Sequence, residues 1–346
     1  MENRRKFLKK SGGLGIAALS LTLAGCVGGD EGEYPDGTIT AVNGFSEGGG
    51  VDTNFRQVQS YWEEEIGTNF TQDYQPGANT RISVDNVLEN HNDCYGFGIV
   101  MNETAAAIAI DENDPNTEPG FAIDELEFIG TLSNEATILR IQDDEDRFHS
   151  LEELIEYSED NPGEVNVGAP GADGRNMLAN IFIMDEFDLD WNLVPYDGGG
   201  PTQTALLQGE IDVACRGVYN SLAIADESTC IGIFAEDNIW GDITDDAPPV
   251  NEALGTDFPY APTFGIQTYY LPMEAAEEYP DRYQTLVDTF EQAMENEEYH
   301  EELEEIDPME PLKLDYHTPS ETRELWEDTA NQFSDVVHLF EEYVQQ

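Results

Sequence analysis

Three clusters of glycine stand where a short apolar run gives way to a helical pattern: Gly48, Gly49 and Gly50; Gly168, Gly171 and Gly174; Gly198, Gly199 and Gly200. A glycine loop entering a helix leaves backbone N–H groups pointing outward at the helix's positive end, which is chemistry for holding an anion. The first loop lies in the stretch NGFSEGGGVDTNFR, residues 43–56. An apolar run at 38–42 before it reads as a β-strand. After it Val51, Phe55, Val58, Trp62 and Ile66 recur every three or four residues as one face of a helix. Asp52 reads as the N-terminal cap of that helix and Gly67 as the glycine that ends it. Taken alone, the loop reads equally as a tight turn using glycine's backbone freedom. Glu47 carries the wrong charge for an anion site and is expected to face solvent.

Catalytic chemistry has no comparable foothold. No Gly-Lys-Ser/Thr follows a glycine loop, which excludes a P-loop, and the GxxGxxG spacing at 168–174 is not the GxGxxG of a dinucleotide fold. His91, His149, His300, His317 and His338 are scattered, and none stands near a serine or cysteine in a nucleophile-elbow context. The acidic run 143–146 lacks the alternation and glycine of a calcium loop. Cys94, Cys215 and Cys230 match no zinc spacing and read as buried thiols, with a Cys215–Cys230 disulfide as the alternative in an exported protein. No metal, no cofactor and no enzymatic reaction is implied.

The elements that must position the glycine loops alternate between strand-like and helical runs, which predicts an α/β fold with parallel sheets. Strands are expected at 38–42, 71–74, 95–100, 127–131, 137–141, 165–168, 192–195, 211–215, 231–234 and 264–271. Ser150 with Glu153, and Thr318 with Pro319 and Glu321, are capping boxes that open helices. The acidic run 291–305 reads as a solvated face, and Trp326, Phe333, Val337, Phe340 and Val344 as the apolar face of the last helix. Asn69 and Asn102 stand in three-residue glycosylation patterns. In parallel sheets the loops after the strands share one edge, where ligands bind.

Seventy-three acidic residues against 14 basic ones give a formal charge of −59, while 39% hydrophobic content keeps the chain in the folding class. Such self-repulsion needs screening; in molar salt the Debye length is roughly 3 Å. The acidity reads as adaptation to high salt, and it excludes nucleic acid as a partner. The N-terminus reads as an address. Arg4 and Arg5 open a twin-arginine pattern, and the apolar run 14–24 is too short to span a membrane. Residues 23–26 resemble a lipobox, so that Cys26 becomes the lipidated first residue after removal of residues 1–25. Residues 26–33 read as a tether. The expected location is the outer face of the cell membrane, held by the lipid.

Phe45 to Thr53 with Arg56, then Pro76-Gly77-Ala78, Asp93 to Tyr95, Asn166 to Gly168 with Gly171, Leu178 and Ala179, and Val194 to Tyr196 with Gly198, Pro201, Gly209 and Ile211 to Val213 run in one order. This series resembles the signatures of the substrate-binding proteins of tripartite tricarboxylate transporters. The resemblance runs from about Tyr34 to Phe340 and extends to halophilic-archaeal members of that family. It implies a two-domain, type II periplasmic-binding-protein-like flytrap with two crossing hinge strands. Residues 34–135 with 236–346 would form the first domain and 136–235 the second. Such a protein is a monomer that closes on a small carboxylate and delivers it to an integral-membrane permease. The resemblance places one ligand carboxylate at Ser46, Gly48, Gly49, Gly50 and Asp52 with Gly77, Ala78, Asn79 and Thr80. The other end meets Gly171, Gly174, Arg175, Asn176, Tyr196 and Gly198.

The departures from the family pattern are basic. Arg175 and Arg216 replace residues that are usually polar or acidic, and Arg81 follows the Pro-Gly-Ala loop. Arginine's planar fork binds carboxylate bidentately and would restore positive potential in an acidic chain. A ligand with at least two carboxylates is expected, one at the first glycine loop and one at Arg175 or Arg216. Structural ion pairs with Asp173, Asp197 or Asp212 are the alternative. The same flytrap could serve a membrane signalling protein as a sensor, or support an exported enzyme.

Overall fold

The computed structural model describes residues 34–77, 80–105, 120–172, 174–196, 198–260 and 263–343. The leader with Cys26, and Ala78, Asn79, Asp173 and Asp197, lie outside these residues. Strands β1 (Ile39–Asn43), β2 (Phe70–Tyr74) and β3 (Gly96–Met101) alternate with helices α1 (Gly50–Ile66) and α2 (Arg81–Asn90). Strands β4 (Leu126–Glu135) and β5 (Thr137–Gln142) follow, then α3 (Leu151–Asp160), β6 (Asn166–Pro170), α4 (Arg175–Phe187), β7 (Asn192–Tyr196) and α5 (Gly199–Leu207). The chain continues through β8 (Val213–Gly217), β9 (Ser228–Phe234), β10 (Gly265–Pro272), α6 (Pro280–Met294), α7 (Glu297–Ile306) and α8 (Pro319–Tyr343).

Two five-stranded sheets result, ordered β2-β1-β3-β10-β4 and β7-β6-β8-β5-β9. They are mixed, where the alternation of elements predicts parallel ones. In each sheet three strands pair in parallel, while β10 runs antiparallel to β3 and β4, and β5 antiparallel to β8 and β9. The antiparallel strand in each case has just arrived from the other sheet. Ala136 alone separates β4 from β5, so the chain steps there directly from the first sheet into the second. Every residue of β3 and β10 is buried, as central strands covered on both faces must be.

Each sheet organises its own core. Trp62 on α1 lies 4.8 Å from Phe97 and 4.7 Å from Phe290, between ring centroids, in a cluster with Ile39, Phe55 and Tyr269. Around the second sheet Leu139, Val167 and Val213 pack with the buried side of α4. Trp240, Ile243 and Ala247 pack with Ile138 and Ile233, and Val250, Phe258 and Tyr260 also lie on the second core. Residues 240–260 therefore lie with the second sheet and not the first, because β10 rather than the end of β9 makes the return crossing. Helix α8 serves both: Trp326 packs on Phe128 of the first sheet, while Phe333 and Phe340 enter the second core.

Local sequence signals explain the element ends. Gly67 takes φ +78° and closes α1 with its N–H on the Glu63 carbonyl. Ser150 Oγ accepts from Glu153 N at 3.2 Å, and Glu321 accepts from Thr318 N at 2.9 Å. The acidic run at 291–305 is more than solvated surface, since α7 buries Tyr299 and Leu303. Cys94, Cys215 and Cys230 are free and buried. Cys215 and Cys230 sit on β8 and β9, which flank β5, so two strand spacings, roughly 9–10 Å, put them beyond disulfide reach. Asn102 is buried and its Oδ1 accepts from Ile266 N at 2.9 Å, which rules out a glycan there in the folded chain.

Candidate ligand-binding cleft

The loops at the C-terminal ends of β1, β6 and β7 open onto one cleft of about 540 Å³. On the first side, the N–H of Gly48 donates to Asp52 Oδ2 at 2.7 Å and that of Gly49 to the Ser46 carbonyl at 3.1 Å. Gly49 is the N-cap of α1 and makes no side-chain cap bond. Asp52 is therefore not the cap: it sits in the first turn and reaches back to the loop. Tyr74 donates to its Oδ1 at 2.8 Å and Arg56 Nε lies 3.0 Å away. Burial would raise the Asp52 carboxyl, but the bonds from Gly48, Arg56 and Tyr74 outweigh it and hold the group below its usual range. Its charge is thus spent on fixing the loop. The N–H groups of Gly50 and Val51, in the first turn, have no intrahelical acceptor, and both residues line the cleft. Glu47 is 73% exposed and pairs with Arg56 at 3.4 Å, on the solvent side.

The second side is built on Tyr196, whose carbonyl accepts from Gly171 N at 2.9 Å and Gly198 N at 2.8 Å. Gly171 at φ +74° and Gly198 at φ +101° hold turns that other residues resist. Gly174 and Gly198 are the N-caps of α4 and α5. Three helix N-termini, each worth roughly half a positive charge, therefore meet the cleft.

Of the residues singled out from the sequence, Ser46, Gly49, Gly50, Gly171, Gly174, Arg175, Asn176, Gly198 and Arg216 line this one cleft. Gly48, Asp52, Gly77, Thr80 and Tyr196 are not among its lining residues. Thr80 is buried in a left-handed turn with its Oγ1 2.7 Å from Thr104 Oγ1, and Tyr196 contributes its backbone.

Arg175 is ion-paired, but with Glu103 and Glu135 and not with the aspartates that the sequence offered. Asp212, a candidate partner of Arg216, is held by Arg147 at 2.5 Å. Arg216 is buried beside β5, and desolvation, reinforced by Arg140 and partly offset by Glu135, lowers its guanidinium to about 10. Arg175 donates Nε to Glu103 at 2.6 Å and Nη1 to the Glu135 carbonyl at 3.1 Å, and Nη2 pairs with the Glu135 carboxylate. Burial would lower its pKa; Glu135 and Glu103 outweigh that and raise it. Asn176 Oδ1 accepts from Thr137 Oγ1 at 3.1 Å.

Sequence reasoning missed Glu103, Glu135, Glu310, Lys313 and Tyr219, which also line the cleft. Lys313 carried a signal, being the one lysine after residue 10. Its Nζ donates to Gln57 Oε1 at 2.6 Å and Asn54 Oδ1 at 3.1 Å and pairs with Glu310, bracing α1.

The model of the tripartite tricarboxylate transporter family receptor matches residues 54–338. A UPF0065 protein of Bordetella pertussis is 25% identical over 208 residues, 60% of this chain and 63% of that protein's length. One of Cupriavidus necator is 23% identical over 330 residues, 90% of each chain. Among solved structures, a Rhodopseudomonas palustris protein with adipate has a TM-score of 0.73 at 18% identity, covering 89% of this chain and 98% of that one. MatC from Rhodopseudomonas palustris with bound malate has 0.70 at 18% identity, covering 88% and 100%. At these identities the likeness is one of fold: α/β, two domains, with the crossing strands described above. With the family model matching most of its length, the chain belongs to the tripartite tricarboxylate transporter receptor family.

Proposed function

We propose that this protein is an extracytoplasmic solute-binding receptor that captures a small di- or tricarboxylate between its two sheets and hands it to a membrane permease. The observation that carries this reading is the convergence of three helix N-termini with Arg175 and Arg216 on one cleft. One ligand carboxylate sits at the N–H groups of Gly50 and Val51 beside Ser46 and Gly49. The other faces Arg175 and Arg216, framed by Gly171, Gly174, Asn176 and Gly198. The malate and adipate named for two proteins of like fold support the ligand class. A cleft of about 540 Å³ suits a ligand of that size. The N-terminal sequence supports twin-arginine export and a lipid anchor on Cys26, the acidic composition supports life in high salt, and the receptor works as a monomer.

Titration calorimetry in molar potassium chloride with acetate, malate, adipate and citrate tests this. Malate, adipate or citrate is expected to bind at least ten-fold more tightly than acetate. Equal affinity for acetate, or no binding by any of the four, sinks the reading.

A further inference from the structure

Arg175 meets the cleft already engaged. It stands at the start of α4 on the second sheet, 5% exposed, and bridges to two carboxylates that belong to the first. Those two are not equivalent. Glu135 ends β4 at the crossing into β5, and its Oε2 lies 2.3 Å from where a β-carbon on Gly217 would stand, so the bare backbone of β8 makes its berth. The guanidinium is seated in the same way, with Cζ 2.5 Å from the corresponding point on Gly265, at the start of β10. Two glycines, one on each side of the crossing, thus build a fixed nest for the Arg175–Glu135 pair. Glu103 is the more open of the two. It follows β3, its side chain is 29% exposed against 15% for Glu135, and it holds the Nε edge of the arginine at 2.6 Å.

We propose that Glu103 is a specificity-determining residue: an internal carboxylate that keeps the place on Arg175 which a ligand carboxylate takes, so that the cleft fills by exchanging one carboxylate for another. The inference rests on the receptor reading above. Exchange solves a problem that a bare arginine would create. A buried guanidinium stripped of its partner is strongly destabilising, and in concentrated salt it would collect inorganic anions. With Glu103 in place the charge stays compensated in the empty receptor. Only a group that matches a carboxylate in charge and planar geometry replaces it without loss. A halide is spherical and has no carboxylate plane, and a hydroxyl lacks the charge.

The test is Glu103→Gln, which keeps the shape and an acceptor for Nε but removes the competing charge. Calorimetry with malate and adipate is run on the wild type and the variant, in potassium chloride and in a potassium gluconate medium of equal ionic strength. The variant is expected to bind the better of the two at least ten-fold more tightly, and to lose affinity in chloride relative to gluconate where the wild type does not. Glu103→Asp, which keeps the charge on a shorter arm, is expected to fall between them and serves if the glutamine variant fails to fold. Unchanged or weaker binding by both variants overturns the exchange while leaving the receptor reading intact. Absence of binding by wild type and variants alike overturns both.

Discussion

Arg175 Cζ lies 2.5 Å from the point that a β-carbon would occupy on Gly265. A real β-carbon essentially never sits that close to a heavy atom outside its own stretch of chain, so the guanidinium owes its position to the missing side chain on β10. Gly265→Ala must push Arg175 off its two carboxylates. The expected loss is roughly 1–3 kcal/mol, as for overpacking elsewhere, read from the shift of the denaturant midpoint at constant salt. An unchanged midpoint would show that the nest yields freely.

Arg175→Ala removes the cation that Glu103 and Glu135 share. Breaking a buried pair from one side costs about 3–5 kcal/mol. The variant should unfold at a clearly lower temperature, and Glu135→Gln added to it should recover part of the loss. No recovery would mean that the arginine acts through packing rather than charge.

With a formal charge of −59, the chain should gain thermal stability continuously as potassium chloride is raised from 0.1 M to molar concentrations. Circular dichroism melts at fixed pH measure this. A melting temperature independent of salt would remove the argument that the acidity depends on screening.

His317 and Asp315 make a pH-sensitive clasp along β4. His317 Nε2 lies 3.1 Å from Asp315 Oδ2, and Asn134 Nδ2 donates to that same oxygen at 2.7 Å. The bond to Asp315 raises the imidazole above its ordinary 6.5, against the opposing effect of burial. Burial would raise Asp315, but His317 and Asn134 outweigh it and hold the carboxyl below its ordinary 3.8. The histidine's contribution is therefore complete below pH 6.5 and disappears as the pH climbs through its raised folded value. The aspartate's is complete above 3.8 and disappears as the pH falls through its depressed one. Wild type minus His317→Gln stability should peak in the acidic interval between them and shrink toward alkaline pH. A difference independent of pH from 5 to 9 would contradict the clasp.

Much of this was legible from residue spacing. Phe55, Val58, Trp62 and Ile66 do form the buried side of α1 together with Asp52, and Gly67 ends it, while Val51 is only half-buried and lines the cleft. The glycine loops were visible because turns with φ near +74° or +101° leave little choice of residue. Strand direction was not, since an apolar run carries no arrow. Five residues separate the expected runs 127–131 and 137–141, so the sequence hid that β4 runs on to Glu135 and that the chain changes sheets at Ala136. Asp52 misled because a carboxylate near a helix start suits both a cap and a first-turn brace, and only Gly48 and Tyr74 decide between them. Glu103, Glu135 and Glu310 were hidden by abundance: among 73 acidic residues, the few that face the cleft look like the rest.

Helix α8 gives the receptor a mechanical property of its own. Its residues up to Ala330 pack beside the first sheet and those from Phe333 onward on the second core. A hydrogen-bonded helix bends far more readily than it stretches. Any parting of the two halves must therefore flex this rod near residues 330–333, which stores elastic energy on opening and returns it on closing. The molecule behaves as a sprung clip, whose jaw travel is limited by a beam that takes no part in lining the cleft.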